Sequence, residues 1–108
     1  GFEPHILATD QFSYRPVSDE PGCSIFFYPA LEEASYSRHQ PGLQHLAFMA
    51  ESWVAVHAIH AKVQALGSEV VHSPRLFPQY RPYYYATFWL DLEGFMLEAV
   101  CLREDEST

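Results

Sequence analysis

The sequence predicts an α+β fold with one main helix and a mostly antiparallel sheet. One segment has helical apolar spacing between a capping serine and a glycine, and several short runs are rich in β-branched and aromatic residues. A turn signal also joins the last two of these runs as a hairpin. Since 108 residues suffice for a hydrophobic core, we predict a single domain over residues 1–108.

The helix is predicted over residues 53–66. Ser52 is a favourable N-cap, and Gly67 is a typical C-terminal stop. The apolar side chains that recur on one helical face are Val56, Ile59, Val63 and Leu66. One helix packed against a sheet therefore follows from the pattern.

Four strands are predicted in the second half of the chain, one before the helix and three after it. Their ranges are 43–49, 68–72, 83–90 and 95–102. We expect Pro74 to end the second of these strands, because proline has no N–H group for a strand ladder. Residues 91–94, Asp-Leu-Glu-Gly, form the turn of the closing hairpin.

Fewer secondary-structure elements are predicted in the first 41 residues. Residues 12–15 alternate apolar and polar side chains and end at Pro16, which is typical of an edge strand. Residues 23–28 form a second strand ended by Pro29, and residues 30–42 form a loop. This half offers no counterpart to the opening strand and helix of the other half.

Charge and composition exclude several classes of partner. The formal net charge is −8 with only 6 Lys plus Arg, which argues against binding nucleic acid or anionic membranes. We find neither a membrane-spanning apolar run nor a signal-peptide pattern, so a cytoplasmic protein is expected. Cys23 and Cys101 are too few for a disulfide framework and are expected to be reduced and buried.

His45 and Glu98 are the candidate functional pair, since both interrupt apolar strand runs, where titratable groups are costly unless paired. Strand alternation places His45 on the face of Met49, and Glu98 on the face of Met96. Imidazole and carboxylate suit Zn²⁺, Fe²⁺, Mn²⁺ or Ni²⁺, but a hydrogen-bonded pair without metal fits the same pattern. The histidines expected to be structural or exposed are His39, His57, His60 and His72.

Four segments of the second half carry a known pattern. They are residues 42–48, the helix end 65–67, residues 69–75, and residues 84–100, in which an aromatic strand and an acidic turn with glycine precede Glu98. Together they resemble the second module of a vicinal oxygen chelate domain, the superfamily of glyoxalases, bleomycin-resistance proteins and extradiol dioxygenases. The resemblance covers residues 42–102 well and residues 1–41 loosely.

The resemblance implies two β-α-β-β-β modules that form a curved sheet around a pocket, with His45 and Glu98 at two metal-ligand positions. The matching last-strand position of the first module is Phe26, which cannot ligate, and that module's first strand and helix are expected to be missing. Three explanations stay open: another chain supplies a ligand, no metal is bound, or the sequence is trimmed. A homodimer with strand exchange would cover the open sheet edge.

The resemblance further implies that Tyr84 and Phe88 look into the pocket, while the face of Trp89 packs toward the helix. The residues expected to line the pocket are Phe26, Met49, Tyr84, Phe88 and Met96. Arg75 and Arg81 are placed at its mouth, where they could bind an anionic group. Such a pocket suits a small hydrophobic or aromatic ligand, and rings beside a carboxylate would also accept a cation.

Two functions of different class follow. The first is a binding domain for a small hydrophobic or aromatic molecule, with or without a divalent metal at His45 and Glu98. The incomplete ligand set favours this interpretation. The second is a metal-dependent lyase or dioxygenase of the glyoxalase or extradiol type, with Glu98 as ligand or catalytic base. A degenerate domain that serves subunit contact is a third alternative.

Overall fold

The computed structural model describes residues 1–105, which form seven strands, one α-helix and a short 3-10 turn at Val17–Asp19. The chain divides into two compact units, Gly1–Ala34 and the residues from Ser35 onward. The predicted α+β fold with mostly antiparallel sheets is confirmed. The single domain over residues 1–108 stays a prediction. No helix within residues 1–105 is long and apolar enough to cross a membrane.

The first unit contains a three-stranded antiparallel sheet. Its strands are β1 (Phe2–Leu7), β2 (Phe12–Pro16) and β3 (Ile25–Phe27), in the order β1-β2-β3. Across the β1–β2 ladder, Arg15 Nε donates to Glu3 Oε1 at 3.1 Å. The rings of Phe12 and Phe27 stack across the β2–β3 ladder with centroids 4.6 Å apart.

Three expectations for the first unit are wrong. The sequence pattern did not predict β1, because Pro4 interrupts it, and the ladder is irregular between Pro4 and Ile6. The strand over residues 12–15 is central rather than at an edge, and Pro16 is tolerated because it lies at the very end of β2. Cys23 is exposed because β3 begins only at Ile25.

The second unit contains the helix and a four-stranded sheet. Its elements are β4 (His45–Met49), α1 (Trp53–Ala65), β5 (Val70–Leu76), β6 (Tyr85–Leu90) and β7 (Met96–Cys101). The strand order is β4-β7-β6-β5, with β4 parallel to β7 and the other pairs antiparallel. All five elements predicted for this half are confirmed.

The ends of α1 follow the predicted signals. The Ser52 hydroxyl accepts a hydrogen bond from the Ala55 N–H at 3.0 Å, which satisfies one of the free donors of the first turn. Gly67 has a φ of +74°, a conformation that glycine adopts without steric cost. Leu66 is 82% exposed, so the apolar face ends earlier than predicted. The buried residues of this face are Val56 and Val63.

The end of β5 differs from the prediction, because the strand continues past Pro74 to Leu76. Two features explain why proline is tolerated inside this strand. β5 is an edge of the sheet, and its register with β6 shifts between His72 and Arg75, so Pro74 lies where the ladder is irregular. As a result, β5 ends directly before Phe77.

The two faces of the sheet bury separate clusters of side chains. On the helix side the buried cluster consists of Ala50, Val56, Tyr85 and Cys101. The second buried cluster consists of Phe77, Ala86, Phe88, Met96 and Val100. Because neighbours along β6 point to opposite faces, Tyr85 packs with the helix while Phe88 joins the second cluster. This division agrees with the predicted orientation of β6.

Candidate functional site

A buried carboxylate lies at the centre of the candidate site. Glu98 is only 1% exposed, and its Oε1 lies 2.9 Å from Nε2 of His45. In the parallel β4–β7 register Ala47 pairs with Glu98, so His45, two residues earlier, lies on the same face. On the other side, the Tyr84 hydroxyl donates to Glu98 Oε2 at 2.5 Å. We call His45, Glu98 and Tyr84 the polar triad.

The polar triad gives each oxygen of the buried carboxylate a hydrogen-bond partner. A carboxylate removed from water is costly unless polar partners replace the lost solvent, and the imidazole Nε2 and the phenol occupy these positions. Burial, followed by the hydrogen bond and negative charge of Glu98, raises the pKa of Tyr84. Tyr84 therefore remains a hydrogen-bond donor well into the alkaline range.

The imidazole of His45 connects the buried carboxylate to a cavity. Its Nδ1 contacts the side-chain oxygen of the exposed Gln44. Its ring also packs against Phe88, with centroids 5.8 Å apart. Contacts on both nitrogens and on one face hold the imidazole in one orientation.

The cavity has a volume of about 260 Å³ and lies within the second unit. Its lining residues are Arg38, Gln44, His45, Val71, His72, Phe77, Tyr80, Phe88 and Met96. Phe77, Phe88 and Met96 are buried and form apolar surface, whereas Arg38, His72 and Tyr80 add polar groups. An apolar wall with a few polar groups is typical of a small-molecule site.

Aromatic rings in edge-to-face contact form much of the cavity wall. Phe77 and Phe88 lie 5.3 Å apart between centroids, and the ring of His72 lies 5.6 Å from Phe77 and 5.5 Å from Phe88. The Thr87 hydroxyl donates to the His72 carbonyl at 2.8 Å, which joins β5 to β6 beside this cluster. Edge-to-face packing favours a further ring in the same cluster.

The structure brings together several of the residues predicted from the sequence. His45, Phe88 and Met96 line the cavity, while Glu98 and Tyr84 are joined to it through His45. This arrangement agrees with the expectation that His45 and Glu98 lie on a common face.

Three other predicted pocket residues are placed elsewhere. Met49 is 68% exposed and Arg81 is also exposed, and neither lines the cavity. Phe26 lies in β3 of the first unit, where its ring stacks on Tyr28. Arg75 packs its guanidinium over the ring of Phe77, 4.1 Å from the centroid. The ligand roles of these residues stay predictions.

The sequence pattern missed six of the lining residues, which are Arg38, Gln44, Val71, His72, Phe77 and Tyr80. Phe77 and Tyr80 lie in residues 73–82, which the sequence pattern predicts to be a loop, whereas the structure buries Phe77 and leaves Tyr80 exposed beside it. His72 was expected to be a surface residue, and its side chain is exposed but borders the cavity. Arg38 lies in the segment before β4, where no periodic pattern indicates which way a side chain faces.

The residues described do not by themselves fit a bound metal. Within residues 1–105, no group of three or more His, Cys, Asp or Glu side chains converges on one point. His45 and Glu98 provide one nitrogen and one oxygen, whereas catalytic zinc sites usually have three protein ligands. Both oxygens of Glu98 also have hydrogen-bond partners within the polar triad.

No protein-family model and no curated protein matches the chain. Solved structures do match it. A glyoxalase candidate from Bacillus halodurans is 24% identical with a TM-score of 0.77, over 94% of this chain and 75% of that one. A glyoxalase/bleomycin resistance protein from Albidiferax ferrireducens is 20% identical with a TM-score of 0.68, over 95% and 77%.

A lactoylglutathione lyase from Agrobacterium tumefaciens is 16% identical with a TM-score of 0.59, over 93% of this chain and 75% of that one. At these low sequence identities, the structural similarity is evidence of a shared fold only. The chain therefore has the vicinal oxygen chelate fold, which is the fold of the glyoxalase and bleomycin-resistance proteins.

Proposed function

We propose that the cavity of the second unit binds a small hydrophobic or aromatic molecule, and that the polar triad is its fixed polar anchor. The observation that carries the proposal is the juxtaposition of aromatic walls with His45, an imidazole held from behind by a buried carboxylate. Pockets of this composition are typical ligand sites.

The cavity size limits the ligand. An apolar cavity of about 150 Å³ accommodates benzene. The 260 Å³ here corresponds to one aromatic ring with one or two small substituents. The ring would pack edge-to-face against Phe77 and Phe88, which already prefer that arrangement with each other.

Gln44 suggests how a polar group on the ligand would be bound. Its side-chain oxygen contacts Nδ1 of His45, yet Gln44 itself is exposed. A polar ligand group that replaces this amide would keep a hydrogen-bond partner on Nδ1, so the exchange costs little. Glu98 and Tyr84 would keep the ring oriented during the exchange.

The second candidate is a metal-dependent lyase or dioxygenase. The observation that favours it is a pair of potential metal ligands close to each other beside the cavity: the nitrogen is His45 Nε2, and the oxygen is Glu98 Oε1. A further ligand from outside residues 1–105 would be needed, and Zn²⁺, Fe²⁺, Mn²⁺ and Ni²⁺ are the candidate ions. Such an ion would act as a Lewis acid on substrate oxygens.

Fold likeness does not decide between these candidates. The solved structures include an enzyme, lactoylglutathione lyase, and a glyoxalase/bleomycin resistance protein, so both classes share the fold. One fold hosts several chemistries, and the residues of the site decide among them. Because the described residues supply two ligands, we favour binding without metal.

The proposal is tested by NMR titration of ¹⁵N-labelled protein with benzamide in buffer containing EDTA. We expect shift changes at the amides of His72, Phe77, Phe88 and Met96, and weaker binding by His45→Ala. His39→Ala, which changes an exposed histidine that lies outside the cavity lining, is the matched control. Scattered shifts would contradict the proposal, and binding only after a divalent metal is added would favour the second candidate.

A further inference from the structure

We infer that the cavity selects a small aromatic anion, with a carboxylate on a single ring as its simplest form, and that Arg38 binds the negative charge. The inference rests on the proposed function, because it assigns the ligand class of the same cavity.

The lining residues carry positive charge and no negative charge. Arg38 is the charged residue among them, accompanied by the imidazoles of His45 and His72, and the lining includes neither aspartate nor glutamate. Glu98 lies behind His45 and is almost fully buried, with a partner on each carboxylate oxygen. It is therefore not available to a cationic ligand, contrary to the expectation from the sequence.

Arg38 is half-buried at the cavity and has no ionic partner among residues 1–105. Neither a hydrogen bond nor an ion pair joins its guanidinium to the described side chains. Other arginines are engaged differently: Arg15 pairs with Glu3, and Arg75 packs on Phe77. A partly desolvated guanidinium with free donors matches the planar geometry of a carboxylate.

Two further polar side chains, His72 and Tyr80, lie in the same lining. The imidazole nitrogens of His72 and the hydroxyl of Tyr80 make no hydrogen bond within residues 1–105. Both side chains are fixed by ring contacts with Phe77, at 5.6 Å for His72 and 5.8 Å for Tyr80. They can donate to an anionic group near Arg38 while its ring occupies the apolar part of the cavity.

Because the whole chain is acidic, the selection of an anion depends on the positive charge within the cavity. With a formal net charge of −8, the long-range field repels anions and attracts cations. Selection of an anion therefore has to come from short-range contacts in the cavity, which Arg38 is placed to supply. The affinity for an anion should accordingly fall sharply when this single guanidinium is replaced.

The test compares benzoate with benzamide, which have the same ring and nearly the same size and differ in charge. Dissociation constants are measured by NMR titration of the full chain, in buffer with EDTA, for the unchanged protein, Arg38→Gln and Arg38→Lys. We expect benzoate to bind at least about tenfold more tightly than benzamide, since a hydrogen bond to a charged group is worth roughly a factor of ten or more. Arg38→Gln should bring the dissociation constants of benzoate and benzamide together, and Arg38→Lys should retain part of the difference between them.

Arg81→Gln is the matched control, because Arg81 is exposed and does not line the cavity. Equal affinities for benzoate and benzamide, or an equal loss in Arg38→Gln and Arg81→Gln, would overturn the inference and leave the proposed function intact. If neither compound binds, the proposed function fails and the inference fails with it. Circular dichroism of each variant confirms that the fold is retained.

Discussion

At the scale of single residues, Glu98 organises the candidate site. Its burial is tolerated because His45 and Tyr84 place a partner on each oxygen. Strand alternation predicted the face of its own strand on which each of His45 and Glu98 lies, and the resemblance predicted that both face one pocket; the β4–β7 register places them on the same face. It could not predict Arg38 or Tyr80, because their side chains are directed by turns and loops that have no repeating period.

Replacing His45 with alanine should lower the free energy of unfolding. The buried carboxylate would lose one of its two partners, and a buried polar group left unsatisfied costs about 1–3 kcal/mol. Urea denaturation followed by circular dichroism measures the change. The control His39→Ala should differ from the unchanged protein by less than about 0.5 kcal/mol, and an equal loss in both variants would contradict the role of His45.

The stabilising effect of Tyr84 should depend on alkaline pH. Because its pKa is raised in the folded protein, its contribution is fully present below the ordinary tyrosine value of about 10 and is lost as the pH rises above it. The difference in unfolding free energy between the unchanged protein and Tyr84→Phe should be constant near neutral pH and shrink above about pH 10. Urea denaturation over a pH series measures it, and a difference that does not shrink would refute the assignment.

At the scale of elements, the sequence predicted best where several independent signals agree. The helix and its caps, the closing hairpin and β4 were all predicted, because period, capping and turn chemistry agree there. Prolines caused the errors in β1 and β5. Pro4 and Pro74 look like strand breaks in the sequence, yet each lies where the ladder is irregular, so the strand continues.

The cap of α1 makes a direct prediction about the helix. Ser52→Ala removes the acceptor for the Ala55 N–H and should destabilise the protein by about 1 kcal/mol. Thermal unfolding and urea denaturation both report the change. The control is Ser24→Ala, at an exposed serine outside the regular elements, which should have little effect. Equal stability of Ser52→Ala and the unchanged protein would show that the cap contributes nothing.

At the scale of the whole molecule, we propose that the chain forms a homodimer. β4 is an edge strand of the sheet in the second unit, and its last residue, Met49, is largely exposed. Edge strands with exposed apolar side chains are liable to pair with another chain unless they are covered. The resemblance described for the sequence favours strand exchange. In such a dimer, each copy would supply a strand that pairs with the open sheet edge of the other.

The dimer is tested by size-exclusion chromatography with light scattering. We expect a mass of twice the 12.4 kDa of one chain. Met49→Glu, which introduces a negative charge at the exposed edge, should shift the equilibrium toward the monomer, whereas Leu92→Glu in the exposed hairpin turn should not. A single species of 12.4 kDa at all concentrations would contradict the dimer.

The claim that the cavity of the second unit is the binding site is tested most directly by a crystal structure of the protein with benzoate. We expect the ring between Phe77, Phe88 and His72, with its carboxylate within hydrogen-bond distance of Arg38. The polar triad should keep its hydrogen bonds in the complex. Benzoate bound elsewhere, or a cavity that stays empty at a saturating concentration, would show that this cavity is not the binding site.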